Sequence, residues 1–393
     1  MRILIISYTY CQEATPRSIR WQSLANYWVS FGYDVSVITA PLSDKSNDAK
    51  DNGVEIIYIP ENWIGRIRKK LSQSTPENRT IKPNIKKPIF KKHLERKEKY
   101  ITAKLKKVIK VVYKLILKKY QWPDYAWSWI INARKATLAH LSSNDSYDVV
   151  ISVSHPFSSH LVGRAVKRMF PELKWIIDMG DPFCFLVQSP PNNFLLYSRL
   201  NKRIERRCFQ ESDGIVVTTT ETKNEYLMLF PEIVDKVRVI PPLLSNKISL
   251  FFKTNQKKQD KQNSLLKLVF IGTLYSNIRH PGNLLKLLDA ASQDVEKKIE
   301  MHFVGSVNDI DTSLFLFPNI SIHFQGHVNR ETALKYMVDS DVLVNIGNST
   351  EFQLPSKLVE YASTGNPILN ITSIEHDSSS IFLSPYQASK TIC

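Results

Sequence analysis

The stretch DVLVNIGNSTEFQLPSKLVEYASTGNPIL, Asp341 to Leu369, decides the fold. Val342, Leu343, Val344 and Ile346 form an apolar, β-prone run that reads as a buried strand. A polar loop follows, then a short helix opening at Pro355 and stopping at Gly365, then a second strand at Pro367–Leu369. The junction Gln353-Leu354-Pro355-Ser356-Lys357 falls where a parallel α/β sheet presents its ligands, past a strand's carboxyl end and at a helix N-terminus. Free N–H groups, the Ser356 hydroxyl and the Lys357 ammonium suit phosphate there. Glu360 lies four residues after Ser356 and three after Lys357, on the same helix side. It stands roughly 5–6 Å along the axis from the phosphate end, which suits a carboxylate accepting from a ribose. The same pattern also fits an amphipathic helix with Leu358, Tyr361 and Ala362 inward and Lys357 and Glu360 merely solvated.

Outward from this segment, strand-like and helix-like runs alternate along the whole chain. Strands are expected at Ile3–Ser7, Val35–Thr39, Val54–Ile59, Asp148–Ser152, Lys174–Asp178, Gly214–Thr218 and Lys236–Ile240, with helices such as Ser18–Phe31, Trp127–Leu141, Pro156–Phe170 and Leu195–Gln210 between them. Pro241-Pro242 interrupts the pattern, and the polar run at 253–263 reads as a linker. The alternation restarts at Leu266–Ile271 and continues with a helix at Gly282–Ala291, strands at Lys298–Val304 and Ile320–Phe324, and a helix at Arg330–Val338. Short apolar strands alternating with helices imply βαβ units and parallel sheets. Two domains are expected: 1–243, carrying a basic insert at 66–119, and 265–393, with 244–264 as an exposed connection.

At 393 residues and 43% apolar content the chain has ample material for two cores. Its 12 glycines form neither G-x-G-x-x-G nor G-x-x-x-x-G-K-[ST], which weakens dinucleotide and ATPase readings. Cys11, Cys184, Cys208 and Cys393 are scattered without metal-ligand spacing, so neither a disulfide framework nor a zinc site is expected, and a reducing cytosol is the default. The opening apolar run is too short for a signal peptide and reads as a first strand, and no stretch approaches a membrane-spanning length. Residues 66–119 hold 20 Lys and Arg against Glu77, Glu95 and Glu98, a balance of +17, which leaves the rest of the chain at −1 against the total of +16. In its second half, Ile101, Leu105, Val108, Ile109, Val112, Leu115 and Ile116 recur at helical spacing among lysines. Such a helix suits an anionic membrane surface, or a domain surface with a solvated lysine face. Few aromatics interleave the charge, so nucleic acid is not the expected partner.

With these pieces placed, the chain resembles the GT-B glycosyltransferases of the retaining family 4 group, of the bacterial surface polysaccharide type. Arg20 on the first helix and Gly32-Tyr33-Asp34-Val35-Ser36-Val37-Ile38-Thr39 resemble the family's opening strand and helix. Trp175-Ile176-Ile177-Asp178-Met179-Gly180-Asp181-Pro182-Phe183 resembles its W-x-x-D-x-R-D-P-W signature, preceded by Tyr147–Ser152 and Ser154-His155-Pro156. Gly272-Thr273-Leu274 and Arg279-His280-Pro281 resemble its G-x-L…R-x-P loop, and P-S-K-x-x-E-Y matches from Pro355 to Tyr361. Three departures stand out. Glu13-Ala14-Thr15-Pro16 replaces the glycine pair of the first loop. The position eight before Glu360 is Phe352, with Glu351 one residue out of register, so Glu360 alone is carried over. The chain runs only a short way past Leu369, where the family continues with a further helix or two, so a short or truncated second domain is expected.

The resemblance implies an α/β fold of two Rossmann-like domains facing across a cleft. It implies transfer of a sugar, of hexosyltransferase type, from a nucleoside-diphosphate sugar to a lipid-linked or surface-glycan acceptor, with retention and without metal. Arg279 and Lys357 would stabilise the departing diphosphate, with Ser356 donating a hydrogen bond. Gly272, Gly305 and Val328 join Ser356, Lys357 and Glu360 as nucleotide-sugar contacts. On the acceptor side stand Arg20, His155 and Asp178, with His155 and Asp181 as candidates to orient or polarise the hydroxyl. Asp181-Pro182 is equally a common turn, and His155 a helix cap. Asp309-Ile310-Asp311 and Asp339-Ser340-Asp341 match an acidic metal motif without supporting context and read as chance. No cofactor is expected beyond the donor substrate. The location implied is cytoplasmic, on the inner face of the membrane. Two alternatives remain: a nucleotide-sugar epimerase of the same architecture, and a truncated, non-catalytic membrane-binding module.

Overall fold

In the computed structural model the apolar runs become the expected strands, and the described residues are 1–10, 15–41, 49–66, 118–143, 147–255, 264–276, 279–348 and 350–393. The loop residues Glu13 and Ala14, residues 67–117 of the basic insert with its expected amphipathic helix, and residues 256–263 of the expected connection lie outside these. The chain divides into two compact units, Met1–Ile215 and Val216–Cys393.

The first sheet is built from β1 (Arg2–Ser7), helix α1 (Pro16–Ser30), β2 (Asp34–Thr39), β3 (Ala49–Asp51), β4 (Val54–Tyr58), α2 (Ile130–Ser143), β5 (Val149–Val153), α3 (Ser158–Met169), β6 (Lys174–Asp178), α4 (Phe194–Glu211), β7 (Gly214–Val217), α5 (Thr220–Leu229) and β8 (Val237–Val239). Its order is β3-β4-β2-β1-β5-β6-β7-β8. Strand β1 pairs in parallel with β2 and β5, so Ile3 lies opposite Val35 on one side and Val149 on the other. Strand β3 is added by an antiparallel pairing, to β4. β1 is buried along almost its whole length, because helices cover both faces of a parallel sheet. Helix α1 starts where Thr15 accepts from the Ser18 amide at 3.2 Å and proline takes the first turn. Its inward Trp21 and Ala25 pack on Ile3, Ile5, Val35 and Val37.

The second unit's sheet follows from α6 (Asn246–Thr254), β9 (Leu265–Ile271), β10 (Leu274–Tyr275), α7 (Gly282–Ala291), β11 (Lys298–Val304), β12 (Val307–Asn308), β13 (Ile320–Gly326), α8 (Arg330–Asp339), β14 (Val342–Ile346), α9 (Lys357–Thr364), β15 (Ile368–Ile371), α10 (Ser378–Leu383) and β16 (Ser389–Ile392). Its order is β13-β11-β9-β14-β15-β16, parallel at every pairing. Alternate residues of β9 serve two cores: Val269 and Ile271 pack with Met337, Leu358 and Tyr361, and Leu268 and Phe270 with Leu284, Leu285 and Leu288. Burying one such side chain stabilises by about 1.5–3 kcal/mol, so this two-sided packing fixes the register.

Two local expectations are corrected. Residues 244–264, expected as an exposed connection, contain α6. Ser245 caps it, and Phe252 is buried in the same core cluster as Tyr361. The polar residues around it mask a short apolar face at helical spacing. Helix α9 starts at Lys357 rather than Pro355, because Leu358 N–H reaches back to the Pro355 carbonyl in a tighter turn. It ends as expected, with Gly365 left-handed at φ 81°. Past β15 the chain adds α10 and β16, extending the parallel order by one strand.

Candidate active site

In the second unit, β9 and β14 deliver Gly272 and Asn348 to the same end of the sheet. Arg279 donates through Nε to Asn348 Oδ1 at 3.0 Å, and Asn348 donates in turn to the Gln353 carbonyl at 3.0 Å. Ser378 donates to that carbonyl too, also at 3.0 Å, so the loop entering α9 is tied from two sides. Ser356 occupies the cap position of α9 in helical conformation and makes no capping hydrogen bond with its side chain.

Arg279 and Lys357 are both half-buried, and among the described residues neither forms an ion pair with a carboxylate. Burial holds the Arg279 guanidinium below its ordinary pKa, against the opposing influence of Tyr361 and Tyr275. Burial also lowers Lys357, with Glu360 opposing the shift and Arg330 adding to it. Glu360 is not bound to Lys357. Its Oε1 accepts from Arg330 at 2.5 Å, while Oε2 is buried with no hydrogen-bond partner among the described residues. Lys357 is a desolvated cation one turn from a carboxylate with one orphaned oxygen, and Arg279 is a second desolvated cation near Tyr361; neither has a carboxylate partner among the described residues. Tyr361 is itself held: its hydroxyl accepts from Ile271 N–H at 2.8 Å, next to Gly272.

Gly272, Gly305 and Gly326 end β9, β11 and β13, and their backbones interlock. Gly272 N–H donates to the Val304 carbonyl at 3.0 Å and Gly305 N–H to the Gly326 carbonyl at 2.8 Å. Gly305 has φ 138°, and a Cβ there would overlap the Gly272 carbonyl oxygen. Spacing alone makes these ordinary strand-end glycines; the close approach explains why a side chain is excluded. Val328 sits beyond them, half-buried and packed on the core beneath α8 and α9.

In the first unit Asp178 is buried at the end of β6 and surrounded by donors. Arg17 and Trp21 reach its Oδ2 at 2.9 and 2.7 Å, and Arg20 lies 3.8 Å from Oδ1. Arg20 is 8% exposed, and burial lowers its pKa, with Asp178 opposing and Arg17 adding to the shift. Thus Asp178 and Arg20 are brought together, with Asp178 acting as the anchor of α1. Ser154 ties this corner: its hydroxyl donates to the Asp178 carbonyl at 3.3 Å and accepts from Gly180 N–H at 3.0 Å. A side chain at Gly180 would collide with the Arg17 guanidinium. His155 is exposed, its ring 5.5 Å from that of Tyr125, and Asp181 is half-buried. Deeper in, His160 accepts or donates at 2.8 Å to Ser152, which takes a hydrogen bond from Trp175. Full burial pushes the His160 ring down to about 3.

Sequence reasoning missed Arg330, Asn348, Arg17 and Trp21. Arg17 and Arg20 stand one turn apart on α1, a pattern that offered a signal. Nothing local links Arg330 to Glu360. Among the described residues Glu300, His302 and His323 bring three potential metal-ligating atoms within 4.8 Å of one another. The two imidazoles stack with centroids 4.6 Å apart and planes at 22°, so their in-plane lone pairs run alongside each other and do not converge. That arrangement suits ring packing better than coordination.

The fold is therefore α/β with two Rossmann-like domains, the GT-B class. The sequence matches no family model and no curated protein. Among solved structures it is similar to WaaG, a glycosyltransferase involved in lipopolysaccharide biosynthesis, at 12% identity and a TM-score of 0.54 over 99% of this chain and 85% of that one. It is similar to the lipopolysaccharide outer core galactosyltransferase WaaB in its apo form, at 10% identity and 0.52 over 94% and 80%. The N-terminal domain of Candida albicans trehalose-6-phosphate phosphatase also aligns, at 11% identity and 0.56 over 100% and 85%. At such identities the likeness is one of fold.

Proposed function

We propose that the protein is a glycosyltransferase that takes a sugar from a nucleoside-diphosphate donor and adds it to a lipid-linked or surface glycan. The observation that carries this reading is the pair of half-buried cations without a carboxylate partner among the described residues, Lys357 one turn from the orphaned Glu360 oxygen and Arg279 beside Tyr361, the next residue of the same helix. A diphosphate supplies the missing counter-charge, and a ribose hydroxyl donates to Glu360 Oε2. The GT-B fold, shared with glycosyltransferases such as WaaG and WaaB, agrees.

In this mechanism the bond from the anomeric carbon to the diphosphate oxygen breaks, and its electron pair leaves with the diphosphate. Arg279, Lys357 and the Ser356 hydroxyl stabilise that charge, so the chain itself supplies the electrophilic assistance. The acceptor oxygen forms the new bond on the same face, and its proton passes to the departing phosphate oxygen, which gives retention. His155 and Asp181 orient the acceptor, while Asp178 holds Arg20 and Arg17 in place. The basic insert, residues 66–119, would keep the enzyme at an anionic inner membrane face.

The test is a thermal-shift panel of UDP-, GDP-, dTDP- and CMP-sugars, repeated with Lys357→Ala and Glu360→Gln. One donor should raise the melting temperature of the wild type, and at the same concentration raise that of each variant clearly less. No response to any donor, or the same response in all three proteins, would remove the donor site.

A further inference from the structure

Helix α4 divides its residues sharply between two faces. Asn201, Ile204, Glu205, Cys208 and Phe209 are buried. The opposite face carries Leu195, Leu196 and Leu200 in its first two turns, all exposed, with Leu195 96% accessible. From Arg199 onward, Arg199, Lys202, Arg203, Arg206 and Arg207 line, with Gln210, a shallow depression of about 450 Å³, where Arg206 and Gln210 are already engaged and Arg199, Lys202, Arg203 and Arg207 supply the outward charge. The helix has two acids, and both are engaged elsewhere. Glu205 accepts from the Phe183 and Cys184 amides at 3.2 and 3.0 Å, and Glu211 holds Arg164 and Arg168. The outward face therefore carries no carboxylate of its own.

We propose that the outward face of α4 docks on an anionic phospholipid bilayer. Its leucines would enter the acyl boundary at one end of the helix, and its cations would lie over lipid phosphates along the rest. Cations alone suit any polyanion, but three exposed leucines in line with them suit only one that offers hydrocarbon as well. The 18 residues span about 27 Å, long enough to contact several headgroups at once. The face lies outside the basic insert and does not depend on the transferase reading, since lipid binding is measured without a donor and donor binding without lipid.

The experiment is sedimentation of the full chain with phosphatidylcholine vesicles containing phosphatidylglycerol, and with phosphatidylcholine alone. Three proteins are compared: wild type, Arg199→Gln/Arg203→Gln/Arg207→Gln, and Leu195→Ser/Leu196→Ser. The wild type should bind the anionic vesicles only. The triple variant should lose on the order of 100-fold in partition, about fivefold per arginine, and the leucine variant about tenfold. All five positions are exposed, so unchanged near-ultraviolet circular dichroism verifies folding. Absence of wild-type binding, or binding within twofold in both variants, would overturn the proposal. Loss confined to the arginine variant, matched by the same loss on single-stranded RNA, would assign the face to nucleic acid instead.

Discussion

Replacing Lys357 with methionine should move stability and ligand binding in opposite directions. The ammonium sits half-buried at the start of α9, lowered in pKa by desolvation and with no carboxylate in ion-pair contact. Glu360, three residues on, accepts from Arg330 instead. Methionine keeps most of the volume and removes the uncompensated charge, which should stabilise the unliganded protein by about 1 kcal/mol. In a unit of this size that is a rise of roughly 2–4 °C in Tm. Losing a charge-assisted hydrogen bond to phosphate costs about 1.5–3 kcal/mol, which weakens nucleoside-diphosphate affinity roughly 10- to 150-fold. Scanning calorimetry gives the first quantity and titration calorimetry with the responding nucleoside diphosphate the second. A lower Tm with unchanged affinity would show that Lys357 is a structural residue and refute the reasoning.

Glu360→Gln should weaken nucleoside-diphosphate binding about tenfold while leaving free phosphate binding unchanged, because the lost acceptor faces the pentose; equal losses for both ligands, measured by titration, would reject the ribose assignment. Gly305→Ala should cost about 3 kcal/mol in chemical denaturation, since its φ of 138° and the Gly272 carbonyl both oppose a side chain, whereas Gly326→Ala, at φ 66° with open space around it, should cost only about 1 kcal/mol. His160 is neutral in the folded state, with its pKa pushed down to about 3, against about 6.5 when unfolded. The unfolded chain therefore takes the proton first, and stability present above pH 6.5 falls as pH drops towards 3. Between pH 8 and pH 5 the loss should be about 2 kcal/mol, and His160→Gln should flatten that part of the urea-denaturation profile relative to wild type.

Much of the fold was legible because its signals are local. Apolar runs bounded by helix caps and glycines identified Gly282–Ala291 and Lys298–Val304 to the residue. Helix α6 was hidden because its apolar face is short and the flanking residues are polar. β3, β10 and β12 have two or three residues each, too few to show a period. At the site, Ser356, Lys357 and Glu360 were recognisable as one helix side. The bond that defines Glu360's chemistry comes from Arg330, 30 residues away on another helix, and no periodicity encodes it.

Local patterning along the chain encodes the alternation of strand and helix, hence the parallel α/β sheets, and sets Ser356, Lys357 and Glu360 on one side of α9. These follow from side-chain period and capping, which act over a few residues. Which charges meet which partners emerges only when the chain folds back on itself. Asp178 meets Arg17 across 161 residues, Gly305 meets Gly272 by backbone alone, and the two acids of α4, Glu205 and Glu211, turn to the Phe183 and Cys184 amides and to Arg164 and Arg168. Pairing of charges depends on where the chain returns in space, and desolvation then sets the energy of each.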